Sequence, residues 1–69
     1  MASKDRSTAT RNAILEAAVE EFIERGFAGV RMEHVAKRAG YNKALVYRWF
    51  TDRETLFREA LKRRFSQRA

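Results

Sequence analysis

The segment from Met32 to Phe50, MEHVAKRAGYNKALVYRWF, constrains the fold of this chain more than any other part of it. Its apolar residues recur at helical spacing on both sides of Gly40, which predicts helices over residues 32–39 and 43–49. Gly40 supplies a residue that takes positive φ at little cost, and Asn42 is a good N-cap for the second helix. Two helices joined by so short a turn form a helix-turn-helix.

A helix-turn-helix also requires close packing of its two helices and an exposed face on the second, and this segment can provide both. Its two helices cross steeply and nearly touch, so the contact position must be small, as Ala36 is. Val46 and Trp49 lie three residues apart and can bury one face of the second helix against the first. The opposite face carries Lys43, Ala44, Leu45, Tyr47 and Arg48. Such a face enters the major groove of DNA, although many helical corners would satisfy the same offsets.

The first helix is predicted over residues 10–25, where apolar side chains recur three and four positions apart. Thr10 is its predicted N-cap, and Gly26 is the predicted C′ residue that ends it with positive φ. Residues 1–9 are small and polar and are predicted to form a flexible basic arm. Residues 10–69 are then predicted to form the helix-turn-helix domain.

The fourth helix is predicted over residues 52–65, begun either by Asp52 or by a capping box of Thr51 and Glu54. No strand pattern appears in the sequence. The predicted fold class is therefore all-α, a four-helix domain that contains a helix-turn-helix. The predicted core includes Phe22, Phe27, Val46, Phe50 and, as an anchor, Trp49.

Composition narrows the classes of function. The chain has 69 residues and no Cys, which indicates one small domain without disulfides or thiolate metal sites. One His cannot build a metal site alone, so neither a metal nor a cofactor is expected. Residues 25–69 carry twelve basic and four acidic side chains, a balance that suits a polyanion. No apolar run is long enough to span a bilayer, so we expect an intracellular protein without a membrane partner.

A longer pattern of residues is shared with one known family. Its pieces, in chain order, are Ile14-Leu15-Glu16-Ala17-Ala18, Phe22, Glu24-Arg25-Gly26-Phe27, Val35-Ala36, Ala39-Gly40, Asn42-Lys43-Ala44, Tyr47, Phe50, Asp52-Arg53-Glu54 and Leu56. Over residues 10–61 the chain resembles the N-terminal DNA-binding domain of the TetR (tetracycline-repressor-like) family of bacterial transcription regulators. Matches in order over some fifty positions are much more specific than any single motif.

The resemblance implies roles for particular residues. The third helix of that family reads base edges, which would assign base contacts to Lys43, Ala44, Leu45 and Arg48. The family's tyrosine at the Tyr47 position and the basic residue at the Arg53 position typically contact backbone phosphate. Gly40 would be the glycine of the turn.

The chain departs from the family pattern at several of these places. The family favours Thr or Ser at Val30 and Arg31, so the second helix should lack a side-chain cap, and Arg31 becomes a candidate for a longer-reach phosphate contact. Leu45 replaces the common Thr and can only pack on a thymine methyl, and Trp49 replaces Tyr or His. These changes leave the predicted fold unchanged but make the preferred DNA sequence unpredictable.

The resemblance also implies parts that this chain lacks. Family members carry a larger C-terminal helical domain that binds a small ligand and forms the homodimer, and most of them are repressors. The implied parent binds an inverted-repeat operator in the bacterial cytoplasm and is released when ligand binds the missing domain. Phe57, Leu61 or Phe65 of the fourth helix is expected to expose apolar surface that this domain covers.

Other classes of function stay open from the residues alone. A small helical protein-interaction module would use the apolar face of the fourth helix and bind no DNA. A homeodomain would require an Asn soon after Trp49-Phe50, where Thr51, Asp52 and Arg53 stand instead. A basic membrane-surface segment conflicts with the glycine turns and the acidic first helix. An enzyme is not expected, because the sequence offers no nucleophile–base pair and no glycine-rich phosphate loop.

Overall fold

A computed structural model of the chain contains four α-helices, α1 (Ala2–Gly29), α2 (Met32–Ala39), α3 (Lys43–Trp49) and α4 (Arg53–Arg68). It describes the backbone of residues 2–68 and the side chains of residues 8–66. No strand occurs in the described backbone. The predicted all-α class, the helix order and the bounds of the two central helices are confirmed.

The start of α1 differs from the prediction. The helix begins at Ala2, so Thr10 lies inside it and is not its N-cap. Residues 2–9 contain neither Gly nor Pro, and nothing in their local chemistry ends a helix there. The basic residues of the predicted arm, Lys4 and Arg6, lie outside the described side chains.

The C-terminal part of α1 contains a break. Gly26 has φ 74° and ψ 166°, the positive φ predicted for a residue that ends a helix. A short helical stretch follows it up to Gly29 before the chain reaches α2. We refer to residues 27–31 as the connector, because they carry the chain from the break to the first residue of α2.

Local capping fixes the two short helices and the turn between them. Gly40 is left-handed, with φ 87°, and its N–H donates to the carbonyl oxygens of Ala36 and Lys37 at 3.0 and 3.2 Å. Asn42 Oδ1 accepts from the Leu45 N–H at 2.9 Å and caps α3. The predicted turn residue and N-cap are both confirmed.

Asp52, not the capping box, caps α4. Its Oδ1 accepts from the Thr55 N–H at 2.8 Å. This backbone hydrogen bond, followed by one from the Thr55 side chain, holds the pKa of the Asp52 carboxyl below its ordinary value. The carboxylate is therefore ionised at neutral pH, where it suits the positive end of the α4 dipole.

Every helix contributes fully buried aliphatic side chains to the core, among them Ile14, Val35, Val46 and Leu56. Smaller residues let the helices approach. The full buried cluster is Ile14, Leu15, Ala17, Ala18, Val30, Met32, Val35, Ala36, Val46, Phe50, Leu56 and Ala60. The core predictions for Val46 and Phe50 are confirmed, and Phe22 packs against this cluster while partly exposed.

Two aromatic residues are less buried than predicted. Trp49 is 37% exposed, because Val46 and the C-cap residue Phe50 already fill the inward positions of a helix only two turns long. Phe27 is 40% exposed, since it follows the break at Gly26. Its ring packs in an aromatic cluster, 6.1 Å from Phe22 and 5.0 Å from Phe57 between ring centres.

A charged clamp holds α2 against α1. Arg38 of α2 donates from Nη1 to Glu20, from Nε to Glu21 and from Nη2 to Glu24, at 2.8, 2.7 and 2.9 Å. Glu21 is only 3% exposed and also accepts from Arg25 at 2.8 Å. Burial alone would raise the pKa of the Glu21 carboxyl, but the hydrogen bonds from Arg38 and Arg25 lower it overall.

We expect Glu21→Gln to lower the melting temperature by roughly 5–10 °C at neutral pH, because Arg38 and Arg25 lose a buried anionic acceptor. The lowered pKa makes this stabilisation complete at neutral pH, and it is lost as pH falls through the folded-state value. The gap between the two proteins should therefore shrink as pH falls below the ordinary carboxyl pKa of 4.5 toward the lowered folded-state value, as thermal melts followed by circular dichroism would measure.

Glu20→Gln is the matched control for this prediction. The Glu20 side chain is 61% exposed and contacts the same Arg38, so its loss should change the melting temperature far less. Equal effects of the two substitutions would show that burial of Glu21 contributes nothing beyond an exposed ion pair.

Candidate nucleic-acid interface

The exposed face of α3 is set by the burial of Val46. Successive residues of a helix are turned by about 100°, so Ala44 and Arg48 lie opposite the buried Val46. Lys43 and Tyr47 flank that exposed line on one side, and Leu45 flanks it on the other. Lys43, Ala44, Tyr47 and Arg48 are exposed, whereas Leu45 is half-buried.

A depression beside this face collects residues that are distant in sequence. Arg31 from the connector, Lys43 and Tyr47 from α3, and Arg53 from α4 all line it. Val30, Met32, Glu33 and Asp52 complete its lining. The structure thus brings the three predicted phosphate-contact residues, Arg31, Tyr47 and Arg53, to one place next to the exposed face of α3.

The N-terminus of α2 contributes backbone donors to the same depression. The first amides paired within α2 belong to His34 and Val35, which both donate to the Arg31 carbonyl. The N–H groups of Met32 and Glu33 precede them, and Arg31 makes no side-chain cap there. The missing cap predicted from the sequence is confirmed. Unpaired N–H groups at the positive end of a helix dipole suit an anion.

The charge of the depression is positive but moderate. Three basic side chains, Arg31, Lys43 and Arg53, face two acidic ones, Glu33 and Asp52. The Asp52 carboxylate is already engaged as the cap of α4. An anion in this depression therefore meets a net positive charge together with the backbone donors of α2.

Arg53 has contacts that the sequence did not predict. Its Nη1 donates to the Val30 carbonyl at 3.0 Å and to the Ala28 carbonyl at 3.3 Å. Its Cζ lies 4.7 Å from the centre of the Phe27 ring. Spacing along the chain gives no signal of these contacts, because they join residues more than twenty positions apart.

Neither a cluster of metal ligands nor a membrane-spanning helix is found in the described part of the chain. No group of three or more potential metal ligands is found among the described side chains. In the described backbone, no helix is both long and apolar enough to cross a membrane. The depression and the exposed face of α3 present hydrogen-bond donors and basic side chains, which suit an extended anion.

Comparison with known proteins places this geometry in a family. The family model for "Bacterial regulatory proteins, tetR family" matches residues 14–60. The HTH-type transcriptional repressor SCO4008 of Streptomyces coelicolor is 39% identical over 64 residues, which cover 93% of this chain and 33% of that protein. The HTH-type transcriptional repressor NicS of Pseudomonas putida is 42% identical over 48 residues, 70% of this chain and 23% of that protein.

The fold is shared with solved structures of the same family. A protein from Mesorhizobium loti assigned to the TetR-family transcriptional regulators superposes with a TM-score of 0.88 at 44% identity, over 90% of this chain and 31% of that one. The present chain spans a third or less of the length of these three proteins. The family model, the relatives and the shared fold agree, and the chain belongs to the TetR family of bacterial regulatory proteins.

Proposed function

We propose that this domain binds double-stranded DNA in a sequence-specific manner, with α3 in the major groove, as the DNA-reading part of a transcriptional repressor. The observation that carries the proposal is the exposed face of α3 beside a depression lined by basic side chains and helix N-terminal amides. Two relatives, SCO4008 and NicS, are named transcriptional repressors, which supports this regulatory role.

Base contacts fall to the exposed face of α3. Lys43 and Arg48 carry long cationic side chains that suit the O6 and N7 acceptors of guanine. Ala44 and Leu45 are apolar and suit a thymine methyl group, with Leu45 limited by its half-buried position. The sequence preference of the domain then rests mainly on Lys43 and Arg48.

Phosphate contacts fall to the depression. The Tyr47 hydroxyl, the Arg31 guanidinium and the first amides of α2 are the groups that would hold a DNA backbone there. These contacts fix the register of α3 in the groove without reading a base. Arg53 lines the same depression, but its guanidinium already donates to two backbone carbonyls.

The complete regulator would use two copies of this domain. A homodimer formed through a C-terminal domain places two α3 helices on an inverted repeat, with half-sites about one helical turn or a little more apart. A small ligand bound to that domain would change the spacing of the two helices and release the operator. One isolated domain loses the advantage of two linked sites and should bind in the micromolar range or weaker.

Selection of binders from a random duplex pool tests the proposal. The domain would be fused to a dimerising coiled coil, so that two copies engage DNA together. We expect an enriched inverted repeat that disappears when Lys43, Tyr47 and Arg48 are all replaced by alanine. A matched control replaces Lys62 and Arg64, exposed cations near the other end of α4, and should keep the enrichment.

One observation favours a different function. Leu61 and Phe65 are exposed on α4 and lie four residues apart, in line with the half-buried Phe57. This apolar stripe could bind another protein segment, as in a helical interaction module without DNA binding. If the selection enriches nothing and no binding occurs even at low salt, this function replaces DNA binding.

A further inference from the structure

Arg53 is held in place by groups of the protein itself. It is the first residue of α4, yet its side chain reaches back to the connector between α1 and α2. One guanidinium nitrogen serves the carbonyls of Ala28 and Val30, and the aromatic face of Phe27 lies against the same group. Hydrogen bonds from a cation and a cation–π contact together fix the guanidinium in one position.

The carbonyl groups of the connector need hydrogen-bond donors from another part of the chain. The connector's short helical stretch ends at Gly29, and a helix end leaves the carbonyls of its last turn, such as that of Ala28, without helical partners. The next helix offers no compensation, because Arg31 makes no side-chain cap to the first turn of α2. Val30, one residue earlier, is fully buried, and its carbonyl is the closer of the two acceptors for Arg53.

We propose that Arg53 is a positioning residue. It ties the first turn of α4 to the connector and thereby fixes where the first amides of α2 meet a DNA phosphate. This inference rests on the proposed function for the DNA-binding role of α2. The hold on the connector itself is a property of the free protein and is tested without DNA.

Replacing Arg53 by lysine distinguishes a positioning role from a direct phosphate contact. A lysine keeps the positive charge and contacts a phosphate as a point charge. It lacks the planar guanidinium that donates to two carbonyls while lying against the Phe27 ring. Arg53→Lys therefore loses the flat contact with the Phe27 ring and weakens the hold on the connector, while it keeps the charge that a phosphate would need.

The first measurement is amide hydrogen exchange by NMR in the 69-residue chain without DNA. We expect Arg53→Lys to speed exchange of the His34 and Val35 amides, the first paired donors of α2, by about ten-fold. The Phe50 amide, paired with the Val46 carbonyl at the end of α3, serves as the internal reference and should change little. Equal acceleration of all three amides would overturn the proposal, since Arg53 would then act only on global stability.

The second measurement is affinity for a duplex carrying the selected site, as a function of salt. Arg53→Lys should weaken binding by about ten-fold while the slope of log K against log salt stays unchanged. A lysine variant that binds within about two-fold of the wild type would overturn the proposal and assign Arg53 to a phosphate. If the wild type binds no duplex, the proposed function fails, and the exchange comparison still decides whether Arg53 holds the connector.

Phe27→Leu provides a second variant that leaves Arg53 and every DNA-facing group intact. It removes the aromatic face beside the guanidinium. The positioning role predicts the same selective acceleration of the His34 and Val35 amides, smaller than in Arg53→Lys. Unchanged exchange in this variant and in Arg53→Lys would overturn the proposal.

Discussion

Replacing Leu56 by alanine should lower the free energy of unfolding by about 3 kcal/mol, within the range for removing a buried leucine side chain. Leu56 is fully buried and belongs to the cluster that joins α4 to α1. Two contributions add up to this loss. The removed side-chain carbons no longer gain free energy by leaving water, and a cavity remains because the surrounding helices relax only partly.

The size of this loss matters because the domain is small. A chain of 69 residues has a total stability of roughly 3–10 kcal/mol, so one core leucine accounts for a large part of it. The variant should be partly or wholly unfolded at 37 °C. Because α4 begins with Arg53 and follows its cap residue Asp52, both of which line the depression, DNA binding should be lost together with the helical circular dichroism signal.

Leu61→Ala is the matched control, since it removes the same atoms from the same helix. Leu61 is 37% exposed, so its loss should cost less than about 1 kcal/mol in this domain. Urea unfolding followed by circular dichroism compares the two variants through their midpoints. Similar midpoints for both would show that Leu56 does not hold α4 as the structure indicates.

Signals confined to a few neighbouring residues predicted the helix-turn-helix well. The positive φ of Gly40 and the cap of Asn42 depend on local geometry, and the bounds of α2 and α3 follow from them. The start of α1 could not be found in this way, because Thr10 is only one of several residues of N-cap type in this stretch, which also holds Ser3, Asp5, Ser7 and Thr8. A sequence pattern cannot choose among several equivalent candidates for one boundary.

Contacts between helices were not predictable to the same degree. The sequence indicated that the first helix is acidic, but not that Arg38 would bind three of its glutamates or that Glu21 would be buried. Likewise Arg53 was assigned to phosphate by resemblance, whereas its carbonyl and ring contacts depend on where the connector lies in the fold. Side-chain partners more than a helical turn apart are chosen by tertiary packing.

Replacing Arg48 by alanine should weaken binding to the selected DNA site by about 10- to 100-fold, the range for losing one good contact to a base. Arg48 lies at the centre of the exposed face of α3, opposite the buried Val46. A side chain in that position is directed toward the floor of the groove when α3 lies in it. The preference at one base pair of each half-site should relax, while the preferences at the others remain.

Fluorescence anisotropy with the selected duplex and its single-base variants would measure both effects. Arg64→Ala is the matched control, because it removes the same charge from an exposed position eleven residues beyond the start of α4. At about 0.15 M salt a charge that distant is largely screened, so binding should change by less than about two-fold. Tyr47→Phe should weaken all duplexes alike, because a lost phosphate contact carries no sequence information.

The changes in affinity across the different duplexes distinguish a contact to a base from a contact to the DNA backbone. If Arg48→Ala weakens every duplex by the same factor, Arg48 contacts the DNA backbone, and base reading shifts to Lys43 and its neighbours. If only the selected duplex is weakened, Arg48 reads a base. Since Arg48 and Tyr47 are adjacent on one short helix, opposite patterns from the two variants would also fix the rotation of α3 in the groove.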